Sequence, residues 1–146
     1  MKLKSILAKL FALKIAYNTK RNSENAVLLQ QKIMKKLVSK AQHTAFGKDH
    51  KFSSIKNYKA FKNLIPVRDY EALKDYVLRA VNGEKNILWP GKPLYFAKTS
   101  GTTSGAKYIP ITKASMPTHV AAARNAILLY IHETGNSNFV DGKMIF

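Results

Sequence analysis

Nine consecutive residues combine hydroxyl donors, glycines and a positive charge: Thr99-Ser100-Gly101-Thr102-Thr103-Ser104-Gly105-Ala106-Lys107. An anionic phosphate oxygen needs unobstructed backbone N–H groups, short hydroxyl donors and one mobile cation, and this stretch offers all three. Gly101 and Gly105 lack Cβ, so the chain can take positive φ and approach a ligand closely. Successive amides can then turn inward as an anion nest, and Lys107 supplies the charge. Leu94-Tyr95-Phe96-Ala97 enters the stretch and Tyr108-Ile109-Pro110-Ile111 leaves it. Thr99, Ser100, Gly101, Thr102, Thr103, Ser104, Gly105 and Lys107 are therefore the candidate binding residues for a polyphosphate, carried on a loop between two strands.

Two familiar phosphate motifs do not fit. A P-loop requires G-x-x-x-x-G-K-[ST] between a strand and a helix. Here three residues separate Gly101 from Gly105, Ala106 precedes Lys107, and Tyr108 stands where the magnesium-binding hydroxyl belongs. The dinucleotide pattern G-x-G-x-x-G is absent as well. A strand-like run follows the loop, so a helix N-terminus is not the expected anion trap.

Thr99 to Lys107 followed by Tyr108-Ile109-Pro110 resembles the phosphate-binding motif of the adenylate-forming, firefly-luciferase-like superfamily. The version is that of the auxin-responsive Gretchen Hagen family of acyl-acid amido synthetases. Ile87-Leu88-Trp89-Pro90-Gly91-Lys92-Pro93, Pro66-Val67-Arg68-Asp69-Tyr70 and Thr44-Ala45-Phe46-Gly47-Lys48-Asp49-His50 are similar to the amino-terminal part of its bacterial members. The likeness covers residues 24–146, with Ala106 where many superfamily members have proline. It implies ATP-dependent activation of a small-molecule carboxylic acid as an acyl-adenylate, with transfer to an amine or amino acid. ATP and a magnesium ion are the implied cofactors, and the loop handles the phosphates. Full members are several times longer than 146 residues. The chain is accordingly expected to be an amino-terminal fragment, inactive alone, with catalytic residues, adenine site, most of the acyl pocket and the mobile carboxy-terminal domain beyond Phe146.

Composition fits an intracellular globular protein: 46% hydrophobic residues, 23% charged and no cysteine. The lack of cysteine excludes a disulfide framework and thiolate-ligated zinc. No apolar run reaches the roughly 18 residues that suggest a spanning helix. Lys9 and Lys14 interrupt the apolar stretch that would otherwise read as a secretory signal, so cytoplasm is expected. The net charge of +17 is uneven, with fifteen of the 25 Lys/Arg in residues 1–63 against only Glu24 and Asp49. One reading is a small basic module binding nucleic acid or an anionic membrane without catalysis. The simpler one is a lysine-rich solvated surface, favoured because Arg21 is the only arginine there and bidentate arginine is the commonest base-reading contact.

The elements that must position the loop follow from periodicity and caps. A basic, apolar helix is expected over residues 1–20, with Leu3, Ile6, Leu7, Leu10, Phe11 and Leu13 on one face docked on the protein body. Residues 23–83 should be mainly helical. Ser23 caps a second helix whose core stripe is Ala26, Leu29, Ile33, Leu37 and Ala41, and Gly47 stops it. A short turn of helix is expected over 58–64. Asp69 caps a third helix burying Leu73, Tyr76, Val77, Ala80 and Val81 and ending at Gly83. Residues 94–146 then form an α/β portion, strand, glycine loop (99–107), strand, helix and strand. Its helix is capped by Thr112 or Ser115 and ended by Gly135, and Gly142 to Phe146 start the last strand. The fold class expected is thus α/β, the amino-terminal part of an adenylating large domain.

Trp89 can stack on a base, but beside two prolines it is expected to pack the turn instead. His43, His50, His119 and His132 lack the spacing of a metal site or an H-E-x-x-H motif, and no metal ligand is assigned.

Overall fold

A computed structural model describes residues 3–100 and 105–142. Six α-helices run in the order α1 (Leu3–Glu24), α2 (Ala26–Ala41), α3 (Ala45–Asp49), α4 (Tyr58–Leu64), α5 (Lys74–Val81) and α6 (Met116–Thr134) among these residues. Strands β1 (Tyr95–Lys98) and β2 (Tyr108–Ile111) lie between α5 and α6. The fold is mostly helical, with one small two-stranded antiparallel sheet. The strand expected from Gly142 to Phe146 lies outside the described residues after Gly142. A short 3-10 segment, Asn138–Asp141, precedes it. The chain divides into two compact units, Met1–Ala26 with Pro117–Phe146, and Val27–Met116.

In the first unit, α1 runs past the expected end at residue 20 because nothing between Tyr17 and Glu24 breaks a helix. Ser23 is not a cap: it lies inside α1, and its hydroxyl donates to the Lys20 carbonyl at 2.7 Å. Asn25 makes the break, its side-chain amide donating to the Arg21 carbonyl at 2.9 Å. That bond satisfies one of the carbonyls a helix end leaves unpaired. The buried face of α1 is also not the expected one. Ser5 and Ala12 are buried, while Leu3, Ile6, Leu7, Leu10, Phe11 and Leu13 are 41–71% exposed. Two small residues seven apart allow close backbone approach, and the Ser5 hydroxyl lies 3.1 Å from the Ser137 carbonyl and 2.8 Å from Asp141 Oδ2.

In the second unit the core gathers Val38, Ala41, Phe52 and Ile55, with Met34, Phe46, Phe61, Leu64, Ile65 and Trp89 packed against them. The inner stripe of α2 is therefore Met34, Val38 and Ala41, whereas Ile33 and Leu37 are about half exposed. The expected stripe is rotated by about one residue, which a helix with apolar residues on several sides permits. Gly47 does not stop α2, which ends at Ala41, but sits buried within α3. A Cβ there would run into the Ala41 carbonyl group and the Gln42 backbone. Thr44 caps α3 by accepting from Gly47 N–H at 3.0 Å while donating to the Ala41 carbonyl at 2.7 Å.

Helix α4 occupies the expected residues and is capped by Asn57, which accepts from Ala60 N–H at 2.9 Å. Asp69 accepts from Ala72 N–H at 3.0 Å and opens a 3-10 turn, Glu71–Leu73, that runs directly into α5. Val77 and Ala80 are its buried residues, and Gly83 follows at φ +91°.

Candidate phosphate-binding loop

Strand β1 pairs with β2 in the register Tyr95↔Ile111, Phe96↔Pro110, Ala97↔Ile109 and Lys98↔Tyr108. The rings of Phe96 and Tyr108 meet edge-on across the strands at 6.3 Å, a cross-strand contact that helps fix register. The Thr/Ser/Gly stretch is therefore the connection of an antiparallel hairpin. Its base is closed between Thr99 and Lys107. Thr99 N–H donates to the Lys107 carbonyl at 3.0 Å, and Lys107 N–H donates to Thr99 Oγ1 at 3.2 Å.

Of the candidate residues, Thr99, Ser100 and Gly105 are exposed and Lys107 is half-buried. Gly101, Thr102, Thr103 and Ser104 lie outside the described residues. Gly105 has φ +78° and open space where a Cβ would stand. The backbone conformation, and not crowding, is what calls for glycine there.

The support under the hairpin comes from two earlier segments. Residues 86–91 form a turn in which Asn86 and Gly91 bond reciprocally. Gly91 N–H donates to Asn86 Oδ1 at 2.7 Å, and Asn86 N–H donates to the Gly91 carbonyl at 2.9 Å. Ala45 and Phe46 N–H donate in turn to the carbonyls of Asn86 and Ile87. Trp89 packs on the core and, with Ile87 and Pro110, lines a cleft of only about 20 Å³. That space is far too small for a nucleotide base, so Trp89 holds the turn. The second support is Tyr70, whose hydroxyl oxygen accepts from Tyr108 N–H at 2.9 Å. The Lys107 ammonium stands 5.5 Å from the centre of the same ring, within cation–π range. Sequence reasoning used Tyr70 only as part of a flanking run and missed this contact, because no local spacing links residues 70 and 107.

Beyond β2, Thr112 and Ser115 cap the approach to α6 together. Thr112 N–H donates to Ser115 Oγ and Ser115 N–H donates to Thr112 Oγ1, each at 3.0 Å, a reciprocal arrangement like a capping box. Pro117 occupies the first turn, where its missing N–H is harmless. Separately, in the first unit, Ala8, Val120, Ile127, Leu128 and Ile131 line an apolar trough of about 500 Å³, with Arg124 also on its wall.

The four histidines lie in different surroundings. His43, His119 and His132 are exposed, while His50 is buried, stacked on Phe46 at 4.0 Å and bonded through Nδ1 to the Phe46 carbonyl oxygen at 2.8 Å. Among the described residues there is no cluster of three potential metal ligands. No helix among them is long and apolar enough to cross a membrane.

A mostly helical amino-terminal region carrying this hairpin loop is consistent with an adenylate-forming enzyme, and the comparison of sequences agrees. The GH3 family N-terminal domain matches residues 16–145, and the chain belongs to that family. It is similar to the indole-3-acetic acid-amido synthetase GH3.15 of Arabidopsis thaliana, 28% identical over 124 residues that make up 83% of this chain and 20% of that protein. The Arabidopsis thaliana synthetase GH3.5 is 26% identical over 109 residues, 74% of this chain and 17% of its own length. The probable indole-3-acetic acid-amido synthetase GH3.1 of Oryza sativa subsp. japonica is 35% identical over 72 residues, 49% of this chain and 11% of its own. The chain thus spans between 11% and 20% of these relatives' lengths. They are plant proteins and bear on the family, not on a bacterial-type subgroup.

Proposed function

We propose that this chain is the amino-terminal portion of the adenylating domain of an acyl-acid amido synthetase. In this reading residues 99–107 bind the phosphates of ATP while a carboxylic acid is activated. The observation that supports it best is the closed hairpin base. Thr99 and Lys107 tie the two ends of a loop rich in hydroxyls and glycine, so its donors are presented from a fixed frame.

In this reading Ser100, Thr102, Thr103 and Ser104 donate to phosphate oxygens, Gly101 and Gly105 let the backbone approach, and Lys107 contributes its ammonium. Attack of a carboxylate oxygen on the α-phosphorus forms the acyl–phosphate bond and breaks the α–β bridging bond. Pyrophosphate departs with the electron pair of that bond. Negative charge on the departing group grows during the step, so donors already aimed at it stabilise the transition state more than the ground state. A magnesium ion would add charge neutralisation on the phosphates. In this reading such an ion would be held largely by substrate phosphates and water.

The activated acyl group then passes to an amine or amino acid. The cytoplasm, where ATP is abundant, is the proposed compartment. The test is ATP-dependent pyrophosphate exchange by the full-length protein carrying this segment. The expected result is exchange that requires a carboxylic acid and is lost in T102V/T103V.

A further inference from the structure

Tyr70 contacts the last residue of the loop and the first residue of β2 although it belongs to a different part of the chain. Its hydroxyl oxygen accepts from Tyr108 N–H at 2.9 Å, at the first residue of β2, and its ring lies under the Lys107 ammonium at 5.5 Å. We propose that Tyr70 is the positioning residue of the phosphate loop, fixing the backbone where the loop rejoins β2 and seating the Lys107 ammonium for the phosphates. This rests on the reading of residues 99–107 as a phosphate site.

Three features support the role. Tyr70 stands on a braced segment: Asp69 beside it accepts from Ala72 N–H, and Leu73 N–H donates to the Tyr70 carbonyl at 3.0 Å. The α5 helix that follows this turn also packs beside β2. Second, the hydroxyl takes the amide of the residue adjoining Lys107, so a shift of Tyr70 moves the point from which the lysine side chain springs. Third, the ring restrains a long, rotamer-rich side chain. A cation–π contact at a partly exposed site is weaker than a charge-assisted bond to phosphate oxygen. The ring therefore narrows the search of the ammonium without competing with the ligand.

The two contacts separate by substitution. Tyr70→Phe removes the hydroxyl and keeps the ring, whereas Tyr70→Leu removes both. In pyrophosphate exchange by the full-length protein, Y70F is expected to lower kcat/KM for ATP by about fivefold, the scale of one lost hydrogen bond. The KM for the carboxylic acid should stay unchanged. Y70L should lower it about threefold further, the scale of an exposed cation–π contact. That further step should vanish in a Lys107→Ala background, because the ring then has no ammonium to seat. A merely structural tyrosine would give the same step in both backgrounds. Y70F is the milder change, and a thermal melt like that of the unsubstituted protein establishes that it is folded. If Y70F and Y70L leave kcat/KM for ATP within twofold, or the ring step persists in the K107A background, the proposal is overturned. If they have no effect while T102V/T103V abolishes exchange, Tyr70's role falls and the phosphate reading stands. Absence of exchange with every acid overturns both.

Discussion

Thr99 and Lys107 bond to each other twice, once backbone to backbone at 3.0 Å and once from the Lys107 amide to the Thr99 hydroxyl at 3.2 Å. The pair thus ties the start of the loop to its end. The second bond needs a hydroxyl at position 99, and valine has the same shape without one. Thr99→Val should loosen the loop base by about 1 kcal/mol, the usual net worth of a hydrogen bond. Amide hydrogen exchange at Lys107 should accelerate and the KM for ATP should rise about fivefold. An unchanged Lys107 exchange rate would show that the hydroxyl does not hold the loop.

Gly47 makes a prediction about packing. A methyl group there meets the backbone of Ala41 and Gln42, atoms that cannot swing aside as a side-chain tip can. Gly47→Ala should cost about 3 kcal/mol, the upper range for overpacking a tight site, read from the urea midpoint. A variant as stable as the parent would mean that α3 does not press on the end of α2.

Tyr76 gives a pH dependence. Its hydroxyl donates to Asp49 Oδ2 at 2.7 Å. That bond first, and burial second, raise its pKa above the ordinary 10.0. The folded state therefore favours the protonated phenol. The stabilisation is complete below the unfolded pKa and is lost as pH rises through the raised folded value. Tyr76→Phe should be less stable than the parent by a constant margin through neutral pH, and the margin should narrow above about pH 10. Denaturant titrations at pH 7 and in the alkaline range measure it. A constant margin across both would contradict the Asp49 bond.

The parts of the fold written in local signals were legible. The hairpin follows from two apolar runs around a glycine loop, and the Thr112 and Ser115 caps and the end of α5 just before Gly83 follow from residue types at short spacing. The parts decided by distant partners were not. The buried residues of α1 are Ala12 and Ser5, the latter bonded to Ser137 and Asp141 far along the chain, whereas hydrophobic periodicity points to the leucines. Gly47 reads as a helix stop, yet its role is contact with Ala41 inside the next helix. Candidate loop residues were named from composition alone. Tyr70 was invisible as a partner of Lys107 because the fold, and no sequence spacing, brings them together.

Whether the 99–107 loop serves acyl-adenylation is decided by ATP-dependent pyrophosphate exchange in the full-length protein, challenged with a panel of carboxylic acids. Exchange should depend on an acid and fall by at least about 100-fold in T102V/T103V, the scale of losing a transition-state donor. Exchange untouched by that double substitution would contradict the loop's role. No exchange with any acid from a folded protein, together with salt-sensitive polyanion binding that survives changes in the loop, would favour the basic binding module instead.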